Sequence, residues 1–218
     1  GLLTVCRDRG YDPTIIFAGT VTQVGVTREV PVDESLPDNP TTVYDLHKLT
    51  AEAYLAFFSR SARITGATLR LPNIYGPGPT SSRPDRGILN AMIRRALKGE
   101  TLLLYGGGQH SRDYLYIDDT INAFLLAGIA GHRMQGDHFV LGTGKGTTLC
   151  DAFTMVADCV GEKTGNRVAV EHVDPPSPLS PIEARDFVAD PSAFRTAVGW
   201  EDPVDLRTGI NRTIEAFS

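Results

Sequence analysis

Thr14-Ile-Ile-Phe-Ala-Gly-Thr20 is a continuous apolar run that ends in small residues and a hydroxyl side chain. Such a run is typical of a strand that is buried on both faces of a parallel sheet. Similar runs at residues 67–71 and 138–141 alternate with segments of helical periodicity. This alternation predicts an α/β fold in which helices cover a mainly parallel sheet.

The longest helical pattern covers residues 41–62, where Leu46, Leu49 and Ala53 recur at roughly helical spacing. Gly10 and Gly99 follow two shorter patterns and are expected to end those helices. The other predicted helices are residues 2–9, 88–97, 118–129, 149–160, 191–198 and 205–216. The other predicted strands are residues 102–105, 114–117 and 168–172.

The composition narrows the class of protein. The chain has 218 residues and a formal net charge of −5, which argues against a nucleic-acid or anionic-membrane surface. No apolar run approaches the roughly 18 residues of a membrane-spanning helix, and no signal-peptide pattern is present. Cys6, Cys150 and Cys159 lack C-x-x-C or zinc-type spacing, so we expect reduced thiols in a cytoplasmic protein without a metal site.

The segment Tyr44-Asp-Leu-His-Lys48 lies near the start of the long predicted helix. Residues four apart project from the same face of a helix, so the Tyr44 phenol and the Lys48 ammonium can converge on one point. An ammonium beside a phenol favours the phenolate form, which suits proton transfer. The alternative interpretation is that both side chains belong to a solvated helix face.

Thr20 lies upstream of Tyr44, at the carboxyl end of the first apolar strand. Enzymes with parallel sheets carry their catalytic and ligand-binding side chains at this end of the strands. The Thr20 hydroxyl could therefore bond a substrate oxygen beside Tyr44. The alternative interpretation is a hydroxyl that caps a turn or a helix.

Five blocks of the sequence follow one another in the order of a family signature. Phe17-Ala-Gly-Thr-Val-Thr-Gln-Val-Gly25, with Tyr44 to Lys48, is similar to S-S-x-x-V-Y-G followed by Y-x-x-x-K. The other blocks are residues 70–78, similar to R-x-x-N-x-Y-G-P, 105–119, similar to Y-G-x-G-x-x-x-R-D, 139–144, similar to N-x-G-x-G, and 189–200, similar to D-x-S-K-A followed by L-G-W. On these blocks the chain resembles the extended short-chain dehydrogenase/reductases of the NAD-dependent epimerase/dehydratase family.

The resemblance implies a Rossmann-type parallel sheet and a smaller α/β substrate-binding lobe. It implies that Tyr44 is the general acid/base, that Thr20 orients the reacting oxygen, and that Lys48 holds the nicotinamide ribose. The implied contacts of the cofactor, NAD with NADP left open, are Ala18, Gly19, Tyr44, Lys48 and Leu71. The implied contacts of a nucleotide-sugar substrate are Thr20, Asn73, Arg112 and Arg185.

Arg112 and Arg185 are the candidates for a diphosphate clamp, because a planar guanidinium offers paired hydrogen bonds that a lysine cannot. For each arginine the alternative is a surface ion pair, with the adjacent Asp113 or Asp186 as partner. The glycines at 106–108 do not open a helix after a strand, so we interpret them as a turn and not as a phosphate loop.

Two departures from the family pattern bear on function. The turn G-x-x-G-x-x-G, which lets the backbone approach a dinucleotide pyrophosphate, is absent from the 218 residues. We therefore expect roughly a hundred further residues upstream in the natural protein, and activity of this chain alone is left open. Val21 and Thr22 stand where 4,6-dehydratases of the family carry Asp and Glu. Because those carboxylates supply the acid and base for the loss of water, we rank dehydratase activity below epimerase activity.

The resemblance favours a nucleotide-sugar 4-epimerase that acts through a transient 4-keto sugar. The alternatives are a 4-keto-sugar reductase or dehydrogenase, and a truncated fragment that only binds sugar nucleotide. Residues 1–75 and 112–144 are expected to form the Rossmann-type part, and residues 76–111 and 145–218 the substrate lobe. The family also implies a homodimer through the helix of Tyr44 and the preceding helix, with Ala51, Leu55 and Phe58 as its apolar face.

Overall fold

The structure is a computed structural model, and it describes residues 1–27, 29–78, 87–175, 185–201 and 203–218. Its helices are α1 Leu2–Arg9, α2 Val43–Ser61, α3 Ile88–Leu97, α4 Ile117–Ala130, α5 Leu149–Thr164, α6 Ser192–Val198 and α7 Leu206–Phe217. Its strands are β1 Thr14–Thr20, β2 Thr65–Leu71, β3 Asn73–Tyr75, β4 Leu102–Tyr105, β5 Ser111–Arg112, β6 Tyr114–Tyr116, β7 Gln135–Val140, β8 Thr147–Thr148 and β9 Val170–Val173.

Three parallel strands form the main sheet, in the order β1-β2-β7. The register pairs Thr14 with Thr65 and Thr20 with Leu71, so β1 and β2 end together. Because carboxyl ends of parallel strands meet at one edge of a sheet, their last side chains face the same region. The predicted α/β class with a Rossmann-type parallel sheet is confirmed.

Helix α2 packs against all three strands of this sheet. Its N-cap residue is Thr42, whose side chain accepts a hydrogen bond from the Asp45 backbone amide and so satisfies one free donor of the first turn. Gly136 of β7 has a positive φ of 81°, and a Cβ there would lie 2.5 Å from the Ala56 Cα. A residue without a side chain is thus required where α2 crosses β7.

Two hydrophobic clusters account for most of the buried side chains. One joins β2, β7, α4 and α6, and includes Leu69, Ala127, Phe139, Phe194 and Trp200. The other joins α3, β4, α5 and α7, and includes Ile93, Leu104, Phe153, Val156 and Ile210. The division of the chain into a Rossmann-type part and a substrate lobe stays a prediction.

The predicted helices and strands all occur, with shifts of a few residues at their ends. Gly106 and Gly107 form a turn after β4, and no helix follows them directly. The strands β3, β5 and β8 were not predicted from the sequence. They contain only two or three residues each, which is too short to show an alternation of apolar and polar side chains.

Candidate active site

A cleft of about 250 Å³ opens at the carboxyl ends of β1 and β2. It is lined by Thr20, Val21, Thr22, Tyr44, Leu71, Pro72, Asn73, Ile74, Gly87, Ile88, Leu89 and Tyr114. Four predicted site residues are in this lining, namely Thr20, Tyr44, Leu71 and Asn73. The other five, Ala18, Gly19, Lys48, Arg112 and Arg185, are not among its lining residues.

Tyr44 and Lys48 converge as the four-residue spacing predicts. The Lys48 Nζ lies 5.8 Å from the centroid of the Tyr44 ring and 5.0 Å from that of Phe17. The same nitrogen donates a 2.6 Å hydrogen bond to the Ala18 carbonyl oxygen. This bond anchors the ammonium to the end of β1, while the Tyr44 side chain stays partly exposed in the cleft.

Thr20 begins a 3-10 turn, Val21–Val24, that redirects the chain at the end of β1. Its hydroxyl accepts a 3.3 Å hydrogen bond from the Thr22 amide, and its own amide donates to the Gln23 side chain at 3.1 Å. Thr20 therefore does cap the turn, as the alternative interpretation predicts. This role coexists with a position in the cleft, because Thr20 both caps the turn and lines the cavity.

Gly19, which the resemblance places against the cofactor, is tightly packed against the neighbouring strand. A Cβ at this position would lie 2.6 Å from the Thr68 Cγ2 and 3.3 Å from the Arg70 Cγ. The small residue before Thr20 therefore lets β1 approach the side chains of β2 at the point where the cleft begins.

Thr22 and Asp45 lie directly behind Thr20. The Thr22 hydroxyl is 3.0 Å from the Thr20 hydroxyl and donates a hydrogen bond to the Asp45 carboxylate. Asp45 is only 1% exposed and also accepts a 2.7 Å hydrogen bond from the Thr42 hydroxyl. Our sequence analysis did not select Asp45, although it lies inside the quoted Tyr44 to Lys48 segment.

A second buried network lies beneath the turn and was also not predicted. The fully buried guanidinium of Arg70 forms ion pairs with Glu52 at 2.5 Å and with Asp38 at 2.9 Å. The Gln23 side chain, which accepts from the Thr20 amide, donates to Glu52 at 3.2 Å. Strand β2, helix α2 and the segment that precedes α2 are thus held together under Thr20.

Arg112 and Arg185 come together from β5 and from a late loop. The Arg112 guanidinium donates a hydrogen bond to the Arg185 carbonyl oxygen, and the Arg185 Nη1 donates to the Gly25 carbonyl oxygen at 2.8 Å. Burial first, and then the charge of Arg112, lower the pKa of Arg185 to about 10, while the charge of Asp45 opposes this shift. The Arg185 Nε is buried without a hydrogen-bond partner.

Asp113 joins its own motif block to two others, residues 139–144 and 189–200. Its carboxylate, which is fully buried, accepts hydrogen bonds from the amides of Thr143, Gly144 and Ala189 and from the Thr143 hydroxyl. Burial raises the pKa of this carboxyl, and the hydrogen bonds oppose that rise. Asp113 is thus a buried hydrogen-bond acceptor and not a surface carboxylate.

The donor set at the sheet edge fits one end of a dinucleotide cofactor. Lys48 supplies an ammonium, Tyr44 a phenol, and Leu71 an apolar wall, all close to the end of β1. The described residues contain no glycine-rich turn between a strand and the start of a helix that would receive a pyrophosphate. They also contain no group of three or more His, Cys, Asp or Glu side chains suited to a metal ion.

The parallel sheet and the arrangement of Thr20, Tyr44 and Lys48 match those expected of the family that the sequence resembles, and comparisons with known proteins agree with that family. A family model described as the NAD dependent epimerase/dehydratase family matches residues 1–142, and the chain belongs to that family. The UDP-glucose 4-epimerase of Mycolicibacterium smegmatis is 29% identical over 195 residues, which are 88% of this chain and 58% of the relative. The chain thus spans less than two thirds of that relative's length.

Two solved structures show the same fold over nearly the whole chain. A UDP-glucose 4-epimerase of Thermotoga maritima with UDP-glucose has a TM-score of 0.83 and 29% identity, over 99% of this chain and 66% of that one. A UDP-glucose 4-epimerase of Thermus thermophilus in complex with NAD has a TM-score of 0.79 and 27% identity, over 99% and 67%. No helix in the described part of our chain is long and apolar enough to cross a membrane.

Proposed function

We propose that the protein carrying this chain is an NAD-dependent nucleotide-sugar epimerase that inverts C4 of the sugar through a transient 4-keto form. The observation that carries this proposal is the convergence of Thr20 and Tyr44 on one cleft, with Lys48 held beside Tyr44. Lys48 and the end of β1 would hold the nicotinamide end of NAD, which would supply the hydride-transfer chemistry. The chain's own residues would bind the sugar and move its hydroxyl proton.

Tyr44 is the proposed general acid/base because its phenol lies in the cleft, where it can reach a substrate hydroxyl, and the Lys48 ammonium lies beside its ring. It would take the proton of the sugar hydroxyl during oxidation and return it during reduction. Thr20, at the end of β1, would hold that hydroxyl. Lys48, fixed by the Ala18 carbonyl, would contact the ribose of the cofactor.

Arg112 and Arg185 are the proposed diphosphate clamp. Two neighbouring guanidinium groups repel one another, and the lowered pKa of Arg185 reflects that repulsion as well as burial. A diphosphate would neutralise both charges, and its oxygens could satisfy the buried Nε of Arg185. Asn73 lines the cleft and is proposed to contact the substrate between the clamp and the sugar.

The cleft supports epimerisation over elimination of water. The described residues that line it include no carboxylate. Val21 cannot take or give a proton, and the Thr22 hydroxyl is already bonded to Asp45. A 4,6-dehydratase needs a further acid and base for the loss of water, and positions 21 and 22 supply neither.

To test the proposal, UDP-glucose is incubated with NAD and the protein that carries this chain, and the sugar nucleotides are monitored over time. Proton NMR should show UDP-galactose formed to equilibrium, while absorbance at the NADH band stays flat. Net NADH formation in proportion to product would indicate a one-way oxidoreductase. If UDP and the UDP-hexoses show no binding by calorimetry, the chain does not hold nucleotide sugars and the proposal fails.

We also propose that the protein is a homodimer through α1 and α2, with a different face from the one we expected. Leu55 and Phe58 are buried against α1 and β1 of the same protomer and are not free to meet a partner. Tyr54 and Phe57 are exposed at 58% and 61% on the same helix. Light scattering should give a dimer that Phe57→Lys dissociates, and a monomeric wild type would contradict the proposal.

A further inference from the structure

The hydrogen bonds behind Thr20 have a direction that follows from counting protons. Thr22 has one hydroxyl proton and donates it to the Asp45 carboxylate. An ionised carboxylate only accepts hydrogen bonds, so this direction cannot be reversed. The 3.0 Å bond between the Thr22 and Thr20 hydroxyls must therefore use the proton of Thr20.

Thr20 is left without a proton for a ligand. Its single hydroxyl proton goes to Thr22, and one of its two lone pairs receives the Thr22 amide. What remains is one lone pair on a residue that lines the cleft. Such a group can accept a hydrogen bond from an alcohol, but it cannot donate one to a carbonyl oxygen.

The Asp45 carboxylate is fixed in place, so the hydrogen bonds from Thr20 to Thr22 and from Thr22 to Asp45 keep their direction. Asp45 is 1% exposed, and the Thr42 hydroxyl donates to its other oxygen at 2.7 Å. The carboxylate is thus kept in place by the Thr22 and Thr42 hydroxyls.

We propose that Thr22 and Asp45 are positioning residues that make Thr20 a hydrogen-bond acceptor, so that the site discriminates in favour of a sugar hydroxyl over a sugar carbonyl. This inference rests on the proposed function, because it assumes that the sugar of a nucleotide sugar lies beside Thr20. It places the task of donating to a carbonyl on Tyr44 alone. A substrate that arrives as the alcohol is matched by the resting site, as an epimerase requires.

The test compares the affinities for an alcohol and a ketone by calorimetry, in the protein that carries this chain. The ligands are UDP, UDP-glucose and UDP-4-keto-6-deoxyglucose. In Thr22→Val the Thr20 proton is released, and Thr20 can then donate to a carbonyl. We expect the preference for UDP-glucose over the keto sugar to fall by about 3- to 10-fold, which is the size of one net hydrogen bond, while the affinity for UDP is unchanged.

Three variants control the comparison. Thr22→Ser keeps the hydroxyl and should restore the wild-type preference, whereas Thr22→Ala removes it without a β-branched side chain and should act as Thr22→Val does. Thr50→Val makes the same substitution on an exposed position of α2, where the hydroxyl donates to the Leu46 carbonyl, and should leave the preference unchanged.

Two outcomes would contradict the inference, and they can be told apart. If UDP binds and Thr22→Val shifts both sugar nucleotides alike, Thr22 has no role in the direction of the hydrogen bonds, and the inference is overturned while the proposed function stands. If wild-type protein binds neither UDP nor the sugar nucleotides, the proposed function fails and the inference fails with it.

Discussion

The Arg112 guanidinium donates a hydrogen bond to the backbone carbonyl of Arg185, although the two residues are 73 positions apart in the chain. The contact brings two cations together in a region where Arg185 is 6% exposed. Burying a guanidinium beside a second guanidinium is costly, and sites that carry such a cost are often functional. We expect these two arginines to lower stability and to support ligand binding.

Arg185→Met should therefore raise the stability of the protein, although it removes a residue of the proposed diphosphate clamp. At pH 7 we expect the free energy of unfolding to rise by about 1–2 kcal/mol, because a buried charge is replaced by an apolar side chain of similar length. Chemical denaturation would measure it. The folded-state pKa of Arg185 is depressed to about 10, so the cost is complete below that pH and is relieved above it. The advantage of Arg185→Met should shrink as the pH rises beyond 10, and a less stable variant at pH 7 would contradict the argument.

Arg112→Ala should weaken the binding of sugar nucleotides by about 2 kcal/mol, because phosphate oxygens would lose a charge-assisted hydrogen bond. Calorimetry with UDP measures the loss without any turnover. Arg167→Ala serves as the matched control, since Arg167 pairs with Asp158 and its side chain is 65% exposed. Equal effects of the two substitutions would show that only the net charge matters.

Tyr44→Phe should remove most of the turnover and leave the affinity for sugar nucleotides nearly intact. The hydroxyl acts in the transition state, so its loss should appear in kcat, by about 10²- to 10⁴-fold. Tyr11→Phe is the control, because that ring is 59% exposed and lies outside the cleft. A Tyr44→Phe protein with near-normal kcat would show that another group transfers the proton.

Gly209→Ala should destabilise the protein, although alanine is the better helix former. Gly209 lies in α7, and a Cβ there would meet the Tyr75 Oη at 2.0 Å. Tyr75 is 1% exposed and cannot move away, so we expect a loss of about 1–3 kcal/mol in the free energy of unfolding. Gly128→Ala in α4 meets nothing within 4 Å and should instead gain up to about 1 kcal/mol. Thermal melting of both variants tests the contrast.

Local patterns were sufficient to predict most of the fold. The apolar run that became β1 and the helical spacing around Tyr44 both arise from contacts close in sequence. The same spacing predicted that Tyr44 and Lys48 share a helix face, and the structure confirms it. Family membership followed from the order of the motif blocks, and the family match confirms that prediction.

The sequence by itself determined the class of the sheet, the helix of Tyr44 and Lys48, and the candidate residues at the end of β1, because periodicity and motif order are properties of the chain alone. Only the tertiary structure decided which of those residues share the cleft, and that Asp45 and Thr22 lie behind Thr20. It also decided that Leu55 and Phe58 are buried within one protomer. The direction of a hydrogen bond and the burial of a charge depend on groups far apart in the chain, and no local pattern records them.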